Sequence, residues 1–185
     1  LEPSTKVYQA ASAFRPLFAQ DPMRALVAVA DGLGDATAGP TVPHLRAEHP
    51  LRLNPPRLDI LAPLTRAIAR GRAVAITYHS LTSGESRREI VPHALVDTGV
   101  RWHVRAYDRR RRRFGDFVLT RIAAAEPLAD SPARGEDREA DDQWMRHVTL
   151  ELVPHPGLAR PEPVLRDYAM TGGAMRVRLR AAVCG

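Results

Sequence analysis

The spacing of apolar residues changes near Ala73, and this change restricts the folds open to the chain. Residues 57–70 repeat apolar side chains at helical intervals, whereas residues 73–128 alternate them in short runs. The runs cover residues 73–78, 87–96, 101–107, 114–119 and 121–128, and the connections between them are short. Short connections favour antiparallel neighbours, so the pattern predicts five strands in a small barrel rather than an open parallel sheet.

Three other segments frame this β region. Residues 1–56 are predicted to hold the tail of a preceding domain and a connector, in which one helix begins at Asp21-Pro22 and a proline-rich stretch follows. Residues 57–130 form the β domain with its leading helix. Residues 131–143 have the acidic, proline-bearing composition of a solvated linker. In residues 144–185 a strand, a short helix and a second strand predict part of an α+β extension of ferredoxin-like type.

The charge of the chain is a weaker signal than the placement of its charged residues. The formal net charge is +6, and Lys6 is the only lysine, so nearly all of the positive charge is arginine. This balance favours an acidic partner, usually nucleic acid. A GC-rich genome also enriches arginine, together with alanine, glycine and proline. The positions of the arginines must therefore decide between a binding site and a composition bias.

Alternation along residues 101–107 sorts cationic and apolar side chains onto opposite faces of one strand. One face carries the polar groups of Arg101, His103, Arg105 and Tyr107, and the other carries Trp102, Val104 and Ala106. Paired guanidinium groups fit phosphate or carboxylate oxygens, and exposed rings such as Tyr78 can stack on a base. With few carboxylates expected nearby, the strand predicts an anion site, and its opposite face predicts that Trp102 lies in the core.

Residues 99–107, Gly-Val-Arg-Trp-His-Val-Arg-Ala-Tyr, resemble the WYL domain of bacterial transcriptional regulators. The resemblance extends to Ile76-Thr77-Tyr78, Ile90-Val91-Pro92, Phe117-Val118-Leu119 and Arg121-Ile122, and Trp102-His103-Val104 stands where the family has Trp-Tyr-Leu. The chain is similar to a subgroup of repressors that guard phage-defence gene clusters. These repressors carry a winged-helix DNA-binding domain, a WYL domain and a C-terminal extension. The winged helix is expected to be largely or wholly absent from this chain.

The resemblance implies an Sm-like (SH3-like) five-stranded barrel that binds a nucleic acid fragment or a nucleotide-like anion. Binding of this effector would alter how a homodimer holds operator DNA through its winged helices. Arg121 matches the motif arginine of the family, and Ser80 matches a small hydroxyl after the first strand. The ligand-binding residues predicted from strand parity and resemblance together are Tyr78, Ser80, Arg88, His93, His103, Arg105, Tyr107 and Arg121.

Other interpretations of these residues stay open. His93 is equally well a structural histidine, and the run 109–113 is typical of a solvated turn with an auxiliary grip on DNA. Two alternative functions stay open, namely a constitutive single-stranded nucleic-acid-binding module and a metal-free ribonuclease that uses His93 and His103. The sequence contains no phosphate-binding glycine loop, zinc-protease helix or nucleophile elbow, so we expect no enzyme and no cofactor.

The location of the protein is predicted from what the sequence lacks. Cys184 is the only cysteine, which excludes an internal disulfide and a cysteine-based zinc site and fits a reducing cytosol. No run of about 18 apolar residues is present that could span a membrane. We therefore expect a cytoplasmic protein without membrane contact.

Overall fold

The computed structural model describes residues 21–30 and 55–184, together with residues 13, 15 and 17. Residues 1–51 and 52–185 form two separate units. In the first unit, helix α1 (Pro22–Ala30) begins where the sequence predicts. The Asp21 carboxylate caps it by accepting a hydrogen bond from the Met23 N–H at 3.0 Å. Most of the predicted proline-rich connector, residues 35–54, lies outside the described residues.

The second unit starts with helix α2 (Leu58–Arg70), which packs on the sheet that follows. Its apolar stripe buries Ile60, Leu64 and Ala67 in the core. The helix ends at Gly71, whose φ of 57° is left-handed and suits glycine. Pro63 lies inside the helix without ending it. Because a proline removes one intrahelical donor, the burial of the stripe must offset that loss.

Five antiparallel strands form the main sheet, in the order β4-β3-β2-β1-β5. They are β1 (Val74–Ser80), β2 (Gly84–Asp97), β3 (Trp102–Asp108), β4 (Arg113–Val118) and β5 (Ile122–Pro127). A 3₁₀ turn, Leu119–Arg121, carries the chain from one edge of the sheet to the other. Side chains from α2 and the strands meet in one buried cluster, in which Leu64, Val74, Ile90 and Val104 are fully enclosed.

The predicted barrel is not closed. Strands β4 and β5 are the edges of the sheet, and no pairing joins them in the part of the chain that the structure describes. The register shifts between Pro92 and Ala94 and again between Thr77 and Tyr78. Such bulges bend a sheet, but closure also needs matching strand number, tilt and stagger. The alternation of apolar residues predicts the strands and says nothing about that stagger.

The chain then continues into a smaller sheet. After a 3₁₀ turn (Arg138–Ala140) come α3 (Asp142–Met145), β6 (His147–Leu152), α4 (Glu162–Asp167), β7 (Met175–Arg180) and a last 3₁₀ turn (Ala181–Val183). Strands β6 and β7 pair antiparallel. Every residue of these two strands is at least partly exposed, unlike the centre of the main sheet. No helix among the described residues is long and apolar enough to cross a membrane.

Candidate functional site

A cavity of about 250 Å³ opens on the main sheet near the β3–β4 hairpin. Its lining includes Tyr78 and Ser80 of β1, Arg88 of β2 and Asp108 of β3. Arg111 and residues 113–117 complete the walls. Three of the eight predicted ligand-binding residues, Tyr78, Ser80 and Arg88, therefore line this cavity.

Arg88 is buried and paired with a carboxylate. Its Nη1 donates to Asp108 Oδ2 at 2.7 Å, and its Nε donates to Ser86 Oγ at 3.0 Å. Both side chains of the ion pair are at most 4% exposed. The neighbouring Arg87 faces outward and pairs with Glu126 at 3.0 Å, as the alternation of side chains along β2 requires. The expectation of a free guanidinium is wrong, because Asp108 neutralises it.

Arg105 is also buried, and two carboxylates share it. Its Nε and Nη2 donate to the two oxygens of Asp141 at 2.8 and 3.0 Å. Its Nη1 donates to Asp116 Oδ2 at 2.9 Å. Burial disfavours the charged guanidinium, but the bonds to Asp141 and Asp116 outweigh that effect and raise its pKa. Arg105 therefore lies behind the cavity wall, attached to the wall residue Asp116.

His93 packs beside the same carboxylate. Its Nε2 lies 3.1 Å from Asp141 Oδ2, and its ring makes edge contacts with Phe114 and Trp144 at centroid distances of 5.8 and 5.4 Å. The buried Nδ1 has no hydrogen-bond partner among the described residues. Burial lowers the pKa of this histidine, and the hydrogen bond and charge of Asp141 oppose the shift without cancelling it. These contacts agree with the structural interpretation of His93.

Asp141 is the common partner of Arg105 and His93. It is 1% exposed, and it also accepts the Trp144 N–H at 3.1 Å, which caps α3. Burial raises the pKa of its carboxyl group, but the hydrogen bonds from Arg105 and the Trp144 N–H outweigh burial and lower the pKa overall. Asp141 is therefore ionised, and the charge of Arg105 and the neighbouring hydrogen-bond donors stabilise its carboxylate.

Two other predicted residues, His103 and Arg121, do not join the cavity lining. His103 is half-buried on β3, and Arg121 ends the 3₁₀ turn that follows β4. Burial lowers the pKa of His103, the carboxylate of Asp116 raises it, and the charges of Arg101 and Arg121 lower it further. His103 therefore interacts electrostatically with Arg101, with Arg121 and with the cavity-wall residue Asp116. Their role as ligand contacts stays a prediction.

The aromatic residues are less accessible than the sequence indicates, with one exception. Tyr78 is 7% exposed. Its hydroxyl accepts the Val118 N–H at 3.4 Å, and its ring meets Phe117 edge-on at 5.1 Å. Tyr107 is half-buried against Phe114 at 5.1 Å. Trp102, predicted to lie in the core, is 43% exposed. It pairs with Asp97 at the far end of β2, where the sheet extends beyond the helix-covered core.

Ser80 lies at the turn between β1 and β2. Its Oγ accepts the N–H groups of Thr82 and Ser83 at 3.3 and 3.4 Å and lies 3.2 Å from Thr82 Oγ1. The hydroxyl therefore shapes the turn as well as lining the cavity.

The arginines of the run 109–113 have different roles, and the sequence does not indicate this difference. Arg109 anchors the following segment, because it donates to Glu136 at 2.9 Å, to Glu89 at 3.2 Å and also to Asp130. Those bonds raise its pKa. Arg111 and Arg113 instead line the cavity. The segment predicted as a solvated linker is thus fixed to the sheet at Glu136 and Asp141.

Sequence reasoning missed the carboxylates of this site. For Asp116 a signal existed, because a hairpin turning at residues 109–112 places it opposite Arg105, as the β3–β4 register does. Asp108 closes the same hairpin, and its Oδ1 accepts the Arg110 and Arg111 N–H groups at 3.0 and 3.2 Å. Asp141 offered no local signal, since it lies 36 residues from Arg105.

Comparison with known proteins adds two family matches. Residues 59–127 match the WYL domain model, and residues 147–185 match the model of the BrxR transcriptional regulator, C-terminal dimerization domain. The cavity lies within the first match. The paired strands β6 and β7 lie within the second.

Similarity to individual proteins extends over nearly the whole chain. The DNA-binding transcriptional repressor CapW of Pseudomonas aeruginosa is 35% identical over 192 residues, covering 96% of this chain and 61% of that protein. The repressor of the same name from Stenotrophomonas maltophilia is 38% identical over 128 residues, covering 68% of this chain and 42% of that protein. The chain thus spans only part of the length of these relatives.

The chain is also similar to solved structures. One of them is the proteasome accessory factor B/C (PafBC) of Arthrobacter aurescens, at 23% identity and a TM-score of 0.38. The match covers 65% of this chain and 20% of that one. This likeness is too low to carry an argument about function.

Proposed function

We propose that this chain is the effector-sensing part of a DNA-binding transcriptional repressor. The proposal is based on its match to the WYL domain model, followed by the match to the BrxR C-terminal domain model. The effector is a nucleic acid fragment or a nucleotide-like anion bound in the cavity. The CapW repressors, which align with this chain at 34–38% identity, support the regulatory role. In this proposal, operator DNA is held by a winged helix outside the chain described here.

One observation carries the choice of ligand. In the cavity wall, Arg88 is neutralised by Asp108, whereas Arg111 and Arg113 make no ion pair within the described residues. These two cations stand beside the Ser80 hydroxyl and the Phe114 ring in the same lining. Unpaired guanidinium groups bind phosphate with charge-assisted hydrogen bonds, and an aromatic edge suits a base or sugar. The combination fits a phosphate-bearing ligand with an aromatic or ring-shaped part.

The sheet geometry is compatible with an open form of the Sm-like fold, which we retain as a proposal. Strand order β4-β3-β2-β1-β5 brings the first strand beside the last. The register shifts near Thr77 and Pro92 are of the kind that bends a sheet. A curved, open sheet leaves the cavity accessible at the β3–β4 hairpin.

A homodimer is the second part of the proposal. The family model matching residues 147–185 is described as a dimerization domain, and β6 and β7 keep apolar side chains exposed. Palindromic operators pair with two-fold symmetric proteins. Effector binding regulates such a dimer only if the DNA-bound and DNA-free states differ in effector affinity.

The first test is direct binding of a single-stranded oligodeoxyadenylate of about eight nucleotides, followed by fluorescence anisotropy. Arg111→Ala should weaken binding about tenfold or more, because a hydrogen bond to a charged group contributes about 1.5–3 kcal/mol. Arg110→Ala is the matched control. It removes the same charge from the adjacent residue, which does not line the cavity, and it should change affinity less than about twofold.

Equal weakening in the two variants would overturn the cavity as the binding site. It would point to attraction by net charge and thus to the alternative of a constitutive single-stranded nucleic-acid-binding module. Wild-type protein that fails to bind the oligonucleotide at all would exclude both nucleic-acid readings of the chain.

A further inference from the structure

Asp141 fixes the segment that follows the main sheet. Its carboxylate accepts hydrogen bonds from Arg105 Nε and Nη2 at 2.8 and 3.0 Å and from the Trp144 N–H at 3.1 Å, and His93 Nε2 lies 3.1 Å away. The residue is 1% exposed. A buried carboxylate needs such partners, because an unpaired one is strongly disfavoured. We call Arg105, His93 and Asp141 the clasp.

The clasp is connected to the cavity wall through Nη1 of Arg105, the guanidinium nitrogen that does not bind Asp141. Nη1 donates to Asp116 Oδ2 at 2.9 Å. The Asp116 side chain is 37% exposed, whereas that of Arg105 is 8% exposed. Asp116 belongs to the cavity wall. One guanidinium is therefore shared between a carboxylate that a ligand can touch and a carboxylate that is sealed inside.

On its other side the clasp leads to the C-terminal sheet. Asp141 caps α3, which contains Trp144. The guanidinium carbon of Arg180 on β7 stacks 4.7 Å from the centre of the Trp144 ring, and its Nη1 donates to the Trp144 carbonyl. The Ala181 N–H donates to the Arg146 carbonyl at 2.9 Å. Movement of α3 must therefore change the contacts of β7.

We propose that the clasp couples the cavity to the C-terminal dimerization unit, with Asp116 as the residue that senses the ligand. The inference rests on the proposed function, since it supplies the regulation of that same cavity. Asp116 and Asp141 compete for one guanidinium. A ligand that offers a hydrogen-bond donor to Asp116, such as the amino group of a base, weakens the hold of Asp116 on Arg105. Arg105 then binds Asp141 more strongly, and α3 and β7 become more firmly held.

Hydrogen exchange measures this tightening at the amides of α3 and β7, with the same oligodeoxyadenylate as probe because adenine carries an amino group. In the wild-type chain, saturating oligonucleotide should slow these amides by about threefold, a weaker coupling than the usual range of about fivefold to 150-fold. In Asp141→Asn, the same amides should exchange about tenfold faster without ligand. They should also show no slowing with ligand, while oligonucleotide affinity stays within about threefold of wild type.

Asp137→Asn is the matched control for Asp141→Asn. Asp137 lies in the same segment and accepts the Ala140 N–H at 3.1 Å as a cap, but it is exposed and does not contact Arg105. Its exchange pattern and ligand response should equal those of the wild type. An equal effect of the two substitutions would overturn the clasp, because loss of any cap in this segment would then be sufficient.

A second variant keeps the test independent of whether Asp141→Asn folds. Asp116→Asn removes the competing charge while leaving an oxygen for Arg105, so its ligand-free α3 and β7 should exchange as slowly as in the ligand-bound wild type. Exchange equal to that of the ligand-free wild type would contradict the competition.

The measurements with oligonucleotide distinguish two outcomes, namely that the clasp hypothesis is wrong and that the proposed function is wrong. If the oligonucleotide binds but α3 and β7 respond alike in wild type and Asp141→Asn, the clasp is overturned and the cavity stands. If the wild type does not bind the oligonucleotide, the proposed function fails and the sensing role of Asp116 fails with it.

Discussion

The main sheet and the two-stranded sheet of β6 and β7 bury their apolar faces to very different extents. In the main sheet, Val74, Ile76 and Ile90 are at most 1% exposed. In the smaller sheet, Leu150 and Leu152 are 39% and 41% exposed. The first sheet has a helix packed over its core, whereas a sheet of two strands is at best marginally stable without a cover.

The smaller sheet nevertheless has its apolar residues arranged on one face, as in a sheet that is covered on that face. Its register places Val148, Leu150 and Leu152 opposite Leu179, Val177 and Met175, so these six apolar residues share one face. The other face carries alternating polar residues, including Glu151 and Arg176, which pair at 2.7 Å. The comparison teaches that residues 55–130 complete their own core, while the C-terminal sheet presents an apolar face for another surface to cover.

The largest effect is expected from a charge placed on that apolar face. Leu150→Glu should weaken dimerisation about a hundredfold or more, because a carboxylate buried without a partner costs several kcal/mol. Analytical ultracentrifugation over a range of concentrations measures the change. Leu81→Glu is the control, since Leu81 is 84% exposed at the turn after β1. Dimerisation that is unaffected by Leu150→Glu would show that the two sheets do not differ in the way proposed.

A smaller effect is expected on the pH dependence of stability, through the buried side chain of His93, which links the main sheet to Asp141 and Trp144. Folding lowers the pKa of His93 below the usual 6.5 of a histidine. As pH falls through that value the unfolded chain binds the proton first, so stability present above about pH 6.5 decreases at lower pH. The slope from one such group is at most about 1.4 kcal/mol per pH unit.

His93→Gln should make the decrease between pH 7 and 5 less steep, as measured by urea unfolding at each pH. The glutamine amide keeps a donor for Asp141 and has no proton to gain. The contributions of His103 and His147, whose pKa values are also lowered, remain in both proteins and cancel in the comparison. Parallel profiles for variant and wild type would exclude His93 as a source of the pH dependence.

Prediction from sequence succeeded where one strand or helix contains the whole signal. The change of period near Ala73 predicts the order of α2 and the five strands, and the alternation along β2 places the adjacent Arg87 and Arg88 on opposite faces. The resemblance to WYL regulators is confirmed by the family matches. These features depend on neighbours a few residues apart, which sequence spacing describes well.

Sequence reasoning failed where charges from distant segments meet. Arg105 was expected to offer a free cation, but Asp141, which lies in an acidic stretch typical of a solvated linker, is bonded to it. Arg109 likewise fixes Glu136 rather than standing in solvent. Composition describes a segment and not its partners, so ion pairs across 27 or 36 residues are invisible to it.

The central claim is that occupation of the cavity changes operator binding. The direct measurement is the operator affinity of the intact repressor, with its DNA-binding domain attached, in the absence and presence of saturating oligodeoxyadenylate at fixed salt concentration. We expect operator affinity to change by at least about fivefold, and we expect this change to disappear in Arg111→Ala and to persist in Arg110→Ala. An operator affinity that stays the same while the cavity is filled would contradict the account.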